Sequence, residues 1–245
     1  MQKDLTTGSV FKNVLYFSLP YLLSYFLQTL YGMADLFIIG QFEGTASITA
    51  VSIGSQLMHM ITVMLVGLAM GVTVGIGRAV GAHDERGAGA VIGNAVTLFL
   101  AVSVVLAAVL TALVQPILSI MSTPAEAVPG AAAYLTICFI GIPCITAYNI
   151  IASIFRGLGD SRSPMYFIAV ACAANIALDY LFMGALHLGP AGAALGTTLA
   201  QGISVAVSLV VILRRKSGVR LRKSDLLPKK PVTGRILRIG VPVAL

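Results

Sequence analysis

From Gly44 to Gly77 the chain carries no Asp, Glu, Lys or Arg. About 20 apolar residues in a helix cross the roughly 30 Å hydrocarbon core of a bilayer, so this run alone spans one with residues to spare. Measured against that length, six stretches fit. Spans are expected at about Val14–Ile39, Ile48–Ile76, Ala90–Val114, Ala131–Phe155, Ser163–Gly184 and Gly192–Leu213, and a seventh opens near Ile236. The first two are long enough to tilt. Composition agrees. Of 245 residues, 58% are hydrophobic and only 10% charged, where soluble domains average about 25% charged, and mean hydropathy is +0.95. The expected fold class is all-α: a polytopic membrane helical bundle of six transmembrane helices plus the start of a seventh, solvated by membrane lipid.

Lys and Arg are retained in cytoplasmic loops, so their positions report orientation. Lys3 and Lys12 precede the first span, Arg78 and Arg86 separate the second from the third, and Arg156 and Arg162 separate the fourth from the fifth. Ten more lie between Arg214 and Arg238, which accounts for all 16. The opposite loops, around Glu43, around Glu126 and from Ala185 to Pro190, hold none. A cytoplasmic N-terminus and a multi-pass placement in the cell (plasma) membrane follow. The first apolar run continues without a small-residue cleavage site and reads as a retained helix rather than a signal peptide. Gln2 follows Met1, so the glycine needed for myristoylation is absent.

The net charge of +7 is not a nucleic-acid signature. Its one dense patch, Arg214 to Arg238, lacks interleaved aromatics and reads as a solvated loop held against anionic headgroups. That patch also divides the chain. Residues 1–213 form an N-terminal six-helix lobe, 214–235 a basic cytoplasmic linker, and 236–245 the opening of a second lobe. Ile236 to Leu245 reads ILRIGVPVAL and Val14 to Leu23 reads VLYFSLPYLL, with Leu, Pro and Leu in register. A repeat that restarts on the same side of the membrane is a parallel repeat. The chain is then expected to be one lobe of a 6+6 transporter, its partner a C-terminal six-helix lobe that this sequence lacks.

Gly67, Gly71 and Gly75 recur every four residues, as do Gly192 and Gly196, a spacing that lets helix backbones approach closely in lipid. Gly75, Gly77 and Gly81 follow no strand and are spaced GxGxxxG, so they form no dinucleotide loop. Pro20 and Pro143 fall inside expected helices and are candidate kinks. Cys138, Cys144 and Cys172 lie in apolar stretches without metal-ligand spacing, His59 reads as a packing residue, and His83 and His187 fall in loops. No HExxH, GxSxG or P-loop occurs. Neither an enzyme nor a cofactor is expected.

Two carboxylates, Asp35 and Asp179, lie within or at the edge of apolar spans, at similar depth near the outer ends of helices one and five. A charge at mid-bilayer costs about 2.5–3.5 kcal/mol, so such groups face a polar interior or a cavity. Asn175 sits one turn before Asp179 on the same face. No Lys or Arg lies at that depth. A buried carboxylate without a basic partner binds a cation or a proton; the other reading is that Asp35 caps its helix at the interface and Asp179 bonds to a neighbouring helix. Tyr21, Tyr25, Phe26 and Tyr31 could line a pathway for amphipathic cations, or serve as interfacial anchors and packing.

These segments resemble the multidrug and toxic compound extrusion (MATE) family. The run LPYLLSYFLQTLYGMADLFIIG resembles its first helix, RGLGDSRSPM (Arg156–Met165) its segment between helices four and five, and NIALDYLF (Asn175–Phe182) with GPAGAALGTTLAQ (Gly189–Gln201) its fifth and sixth helices. The resemblance implies twelve helices in two lobes and exchange of Na+ or H+ for organic cations. It implies a coupling-cation site at Asp35, Asn175, Asp179 and Thr197, with Tyr134 as a further member, and bending at Pro20. The function it points to is a secondary active multidrug efflux antiporter whose partners are small amphipathic or cationic substrates, with no metal beyond Na+ at those residues. A lipid-linked oligosaccharide flippase of the same superfamily, or an inactive fragment of a transporter, are the alternatives.

Overall fold

A computed structural model describes residues 9–214, 225, 227 and 229–244. Three long apolar segments come first: α1 (Val10–Phe42), α2 (Thr45–Gly81) and α3 (Glu85–Ala112). They are followed by a short α4 (Val114–Ile120), then α5 (Val128–Ile140) and α6 (Ile142–Gly157). Next are α7 (Arg162–Asp179), a π-helical turn (Tyr180–Ala185), α8 (Gly189–Arg214) and α9 (Lys230–Ala244). Five helices are individually long and apolar enough to cross a membrane, and α5 with α6 supplies a sixth span bent by 48°. The all-helical, six-span expectation holds.

Local chemistry explains the boundaries. Asp84 caps α3 by accepting from the Gly87 amide at 2.9 Å, which starts that helix at Glu85 rather than Ala90. Asp160 accepts from the amides of Arg162 and Ser163 at 3.1 and 3.0 Å and from the Ser163 hydroxyl at 2.6 Å, holding the entry to α7. The expected break at Pro143 lies at Gly141: Pro143, in the first turn of α6, has no amide hydrogen to extend α5. Pro20 behaves differently, since α1 runs through it uninterrupted. Pro116 falls in the first turn of α4, where proline is tolerated, so the segment that ends the third span continues as a separate helix.

Of the stretch read as linker, residues 215–224, 226 and 228 lie outside the described residues, as do Lys3 at the N-terminus and Leu245. The last helix begins at Lys230, earlier than Ile236, with Pro231 in its first turn where the missing amide costs nothing. It is docked on the bundle. Asn94 of α3, fully buried, accepts from the Lys229 amide and donates to the Asp225 carbonyl at 3.2 Å. On α2, Gly71 lies against the Ile236 carbonyl, and a side chain at Gly240 of α9 would meet the Leu68 backbone. Gly67 and Gly71 of the glycine row expected to permit close packing therefore pack the last helix, while Gly75 faces Val91 of α3. Three apolar clusters hold the rest together, centred on Ile39, Leu135 and Phe139, on Val72, Ile76 and Phe99, and on Phe155, Phe167 and Ile168.

Candidate functional site

Three helices converge on one buried polar cluster. Asp35 comes from α1, Asn175 and Asp179 from α7, and Thr197 from α8; Asp35 is 2% exposed and Asp179 0%. The 3.6-residue helical period brings Asn175 and Asp179 onto one face. Thr197 donates from Oγ1 to Asp35 Oδ2 at 3.0 Å, and Asn175 donates from Nδ2 to Thr197 Oγ1 at 3.5 Å. The carboxyl groups of Asp35 and Asp179 lie within reach of one another. Four oxygens are left buried without a hydrogen-bond partner: Asp35 Oδ1, Asn175 Oδ1 and both oxygens of Asp179. Buried acceptors of this kind cost free energy unless a proton or cation reaches them.

Close approach is permitted by Gly196. A β-carbon there would collide with Asp179 Oδ1, so only glycine lets α8 come near enough to set Thr197 beside Asp35. The donors are hard oxygens, which suit Na+ or a proton and not a transition metal. Among the described residues no group of three His, Cys, Asp or Glu could hold a metal ion.

The cluster opens onto a cavity of about 380 Å³ whose lining includes Asp35, Thr197, Tyr134, Tyr31, His59 and Arg156. Tyr21 and Tyr25 also line it, whereas Phe26 points outward, 61% exposed. Tyr134 stands over Gly54 and within reach of Cys138, in the cavity wall with Asp35. His59, expected to be packed, is exposed on the cavity wall. Gln201 was missed at the sequence level. It lies one turn after Thr197, in reach of the Tyr31 hydroxyl, with Oε1 unpartnered, and its i+4 spacing from Thr197 was the available signal.

A bundle of up to six apolar spans around a cavity with buried, oxygen-rich acceptors defines the chain as a multi-pass membrane protein. It belongs to the MatE family, whose model matches residues 20–181. It is 31% identical to the probable multidrug resistance protein YpnP of Bacillus subtilis, over 99% of this chain and 54% of that protein. It is 30% identical to the probable multidrug resistance protein NorM of Thermotoga maritima, over 96% of this chain and 51% of that protein. An outward-facing multidrug resistance MATE family transporter of the MOP superfamily superposes with a TM-score of 0.89 at 27% identity, covering 97% of this chain and 52% of that one. The chain thus spans about half the length of the relatives it matches.

Proposed function

We propose that this chain is the N-terminal lobe of a secondary active efflux antiporter that exchanges Na+ or H+ for amphipathic or cationic organic compounds. The observation that carries this reading is the set of four unpartnered oxygens on Asp35, Asn175 and Asp179, buried in a cluster of which Asp35 lines a cavity wide enough for a small organic molecule. Asp35 and Asp179 supply the charge, and Asn175 and Thr197 complete an oxygen shell. With the cation bound, repulsion between the carboxylates is relieved; without it, a cationic substrate is the available counter-charge. That mutual exclusion is the chemical basis of exchange. A second six-helix lobe supplies the opposite cavity wall, and the lobes rock about the site. The basic loops support a cytoplasmic N-terminus in this reading, with the chain in the plasma membrane. A flippase for lipid-linked oligosaccharides calls for a cationic cavity, and the most deeply buried charges here are acidic.

Ethidium efflux from energised cells tests this, with the chain expressed alone and together with a matching second lobe, wild type against Asp179→Asn, with and without sodium. Export by the wild-type pair and its loss in the variant are expected, and the sodium dependence names the coupling ion. Undiminished export by the variant would remove Asp179 from coupling. Absence of export by either, with both lobes present in the membrane, would favour the flippase.

A further inference from the structure

Two arginines flank the loop between α6 and α7, and both stack on tyrosines of α1. Arg162 lies 4.6 Å from the Tyr16 ring centroid and Arg156 5.1 Å from that of Tyr21. They differ in where they face. Arg162 is exposed and does not line the cavity, whereas Arg156 does. Among the described residues no carboxylate forms an ion pair with Arg156; its one hydrogen bond runs to the Ser153 hydroxyl at 3.1 Å. A guanidinium carries five donors in a planar fork, and stacking on an aromatic face leaves its edge free to grip a carboxylate with two parallel bonds. Tyr21 is fourteen residues before Asp35 on the same helix, about 21 Å at 1.5 Å per residue. The cavity therefore has an acidic end at Asp35 and a cationic end at Arg156, with Ser24, Tyr25 and Gln28 on the wall between.

We propose that Arg156, seated on Tyr21, is an anion subsite that takes the carboxylate of an amphipathic solute whose apolar body lies along the cavity. The inference rests on the cavity being the substrate path. The competing role for Arg156, stabilising the C-terminal end of α6 through the helix dipole, predicts no discrimination between solutes.

Rhodamine B and its ethyl ester separate these roles, because the two dyes share one cationic body and differ only in a free carboxylate. Binding to the purified chain in phosphatidylcholine nanodiscs at neutral pH is read by fluorescence anisotropy. Wild type should bind rhodamine B about tenfold more tightly than the ester, the scale of one charge-assisted hydrogen-bonded pair. Arg156→Gln should abolish the preference by weakening the acid dye alone, Arg156→Lys should keep part of it, and Arg162→Gln should keep all of it. Equal binding of the two dyes by wild type overturns the proposal without any variant. So does an Arg156→Gln protein that keeps the preference or loses both dyes together while Arg156→Lys binds both as wild type does. Displacement of rhodamine B on adding phosphatidylglycerol would assign the subsite to a lipid headgroup and also overturn it. Failure of wild type to bind either dye would instead count against the cavity as the substrate path.

Discussion

The Thr197 hydroxyl donates to the Asp35 carboxylate at 3.0 Å, tying the first span to the last across 162 positions of sequence. One oxygen of Asp35 is thereby satisfied and the other is left for a ligand. Replacing Thr197 by Val keeps the shape and removes the donor. A hydrogen bond to a charged group contributes about 1.5–3 kcal/mol, so Thr197→Val should unfold at lower denaturant and bind sodium more weakly. Thr197→Ser should preserve both. Denaturant unfolding with a sodium titration in detergent reads the two effects, and a wild-type response from the valine variant would show that the bond is idle.

A cation that binds only the native cluster stabilises it by mass action, by about 2.7 kcal/mol at a hundredfold excess over its Kd. The melting temperature of the wild-type chain should therefore rise when sodium chloride replaces choline chloride at constant ionic strength. Asp179→Asn should show no such rise. If the wild type is equally indifferent to sodium, the proton becomes the coupling ion.

Gly196→Ala puts a methyl group where Asp179 Oδ1 lies. Overpacking of this kind costs about 1–3 kcal/mol, and here it also drives α8 away from α7. Loss of sodium-dependent stabilisation is expected together with a lower melting temperature. Retention of sodium binding would mean that Asp179 can turn aside without leaving the site.

The docking of α9 makes a similar claim in a different place. Gly71→Ala would press a methyl group on the Ile236 carbonyl, so α9 should separate from α2 and its junction become sensitive to protease. Gly202, inside α8, has nothing within 4 Å of a β-carbon. Gly202→Ala should be neutral or stabilise the chain by up to about 1 kcal/mol, the helix-propensity difference. Comparison of the two alanine variants by limited proteolysis and thermal unfolding distinguishes close crossing from a general intolerance of larger residues.

Orientation is tested by cysteine labelling in a background with Cys138, Cys144 and Cys172 replaced by Ser or Ala. A membrane-impermeant maleimide applied to intact cells should label Glu126→Cys and spare Arg86→Cys. The reverse pattern would invert the topology drawn from the basic loops.

Much of this molecule was legible in its residues. Six spans were countable because a bilayer demands about 20 apolar residues per crossing and has no water to satisfy an open backbone. Asp35, Asn175 and Asp179 stood out because charge and amide are expensive at that depth. The bend near Pro143 was expected and occurs at Gly141, while an equally visible Pro20 leaves α1 unbroken. The π-helical turn at Tyr180–Ala185 and the separate α4 were not foreseen. Both arise at span ends, where hydropathy no longer dictates hydrogen-bond pattern.

His59 and Arg156 show the limit from the other side. Each is a single polar residue in or beside an apolar helix, and a sequence window does not reveal whether a neighbour covers it. His59 has the sequence context of a packing residue yet stands open on the cavity; Arg156 has the position of a loop charge yet lines it.

By itself the sequence determined how many times the chain crosses, which loops carry positive charge, and which polar residues had to be buried. These follow from transfer free energies summed along a local stretch, independent of partners. Only the tertiary structure decided that Asp35, Asp179, Asn175 and Thr197 share one site, that Gly196 lets them meet, and that α9 lies on Gly71. Those facts depend on how helices far apart in sequence rotate and approach one another. In lipid that choice is made by close packing and interhelical hydrogen bonds between faces, which no single segment carries alone.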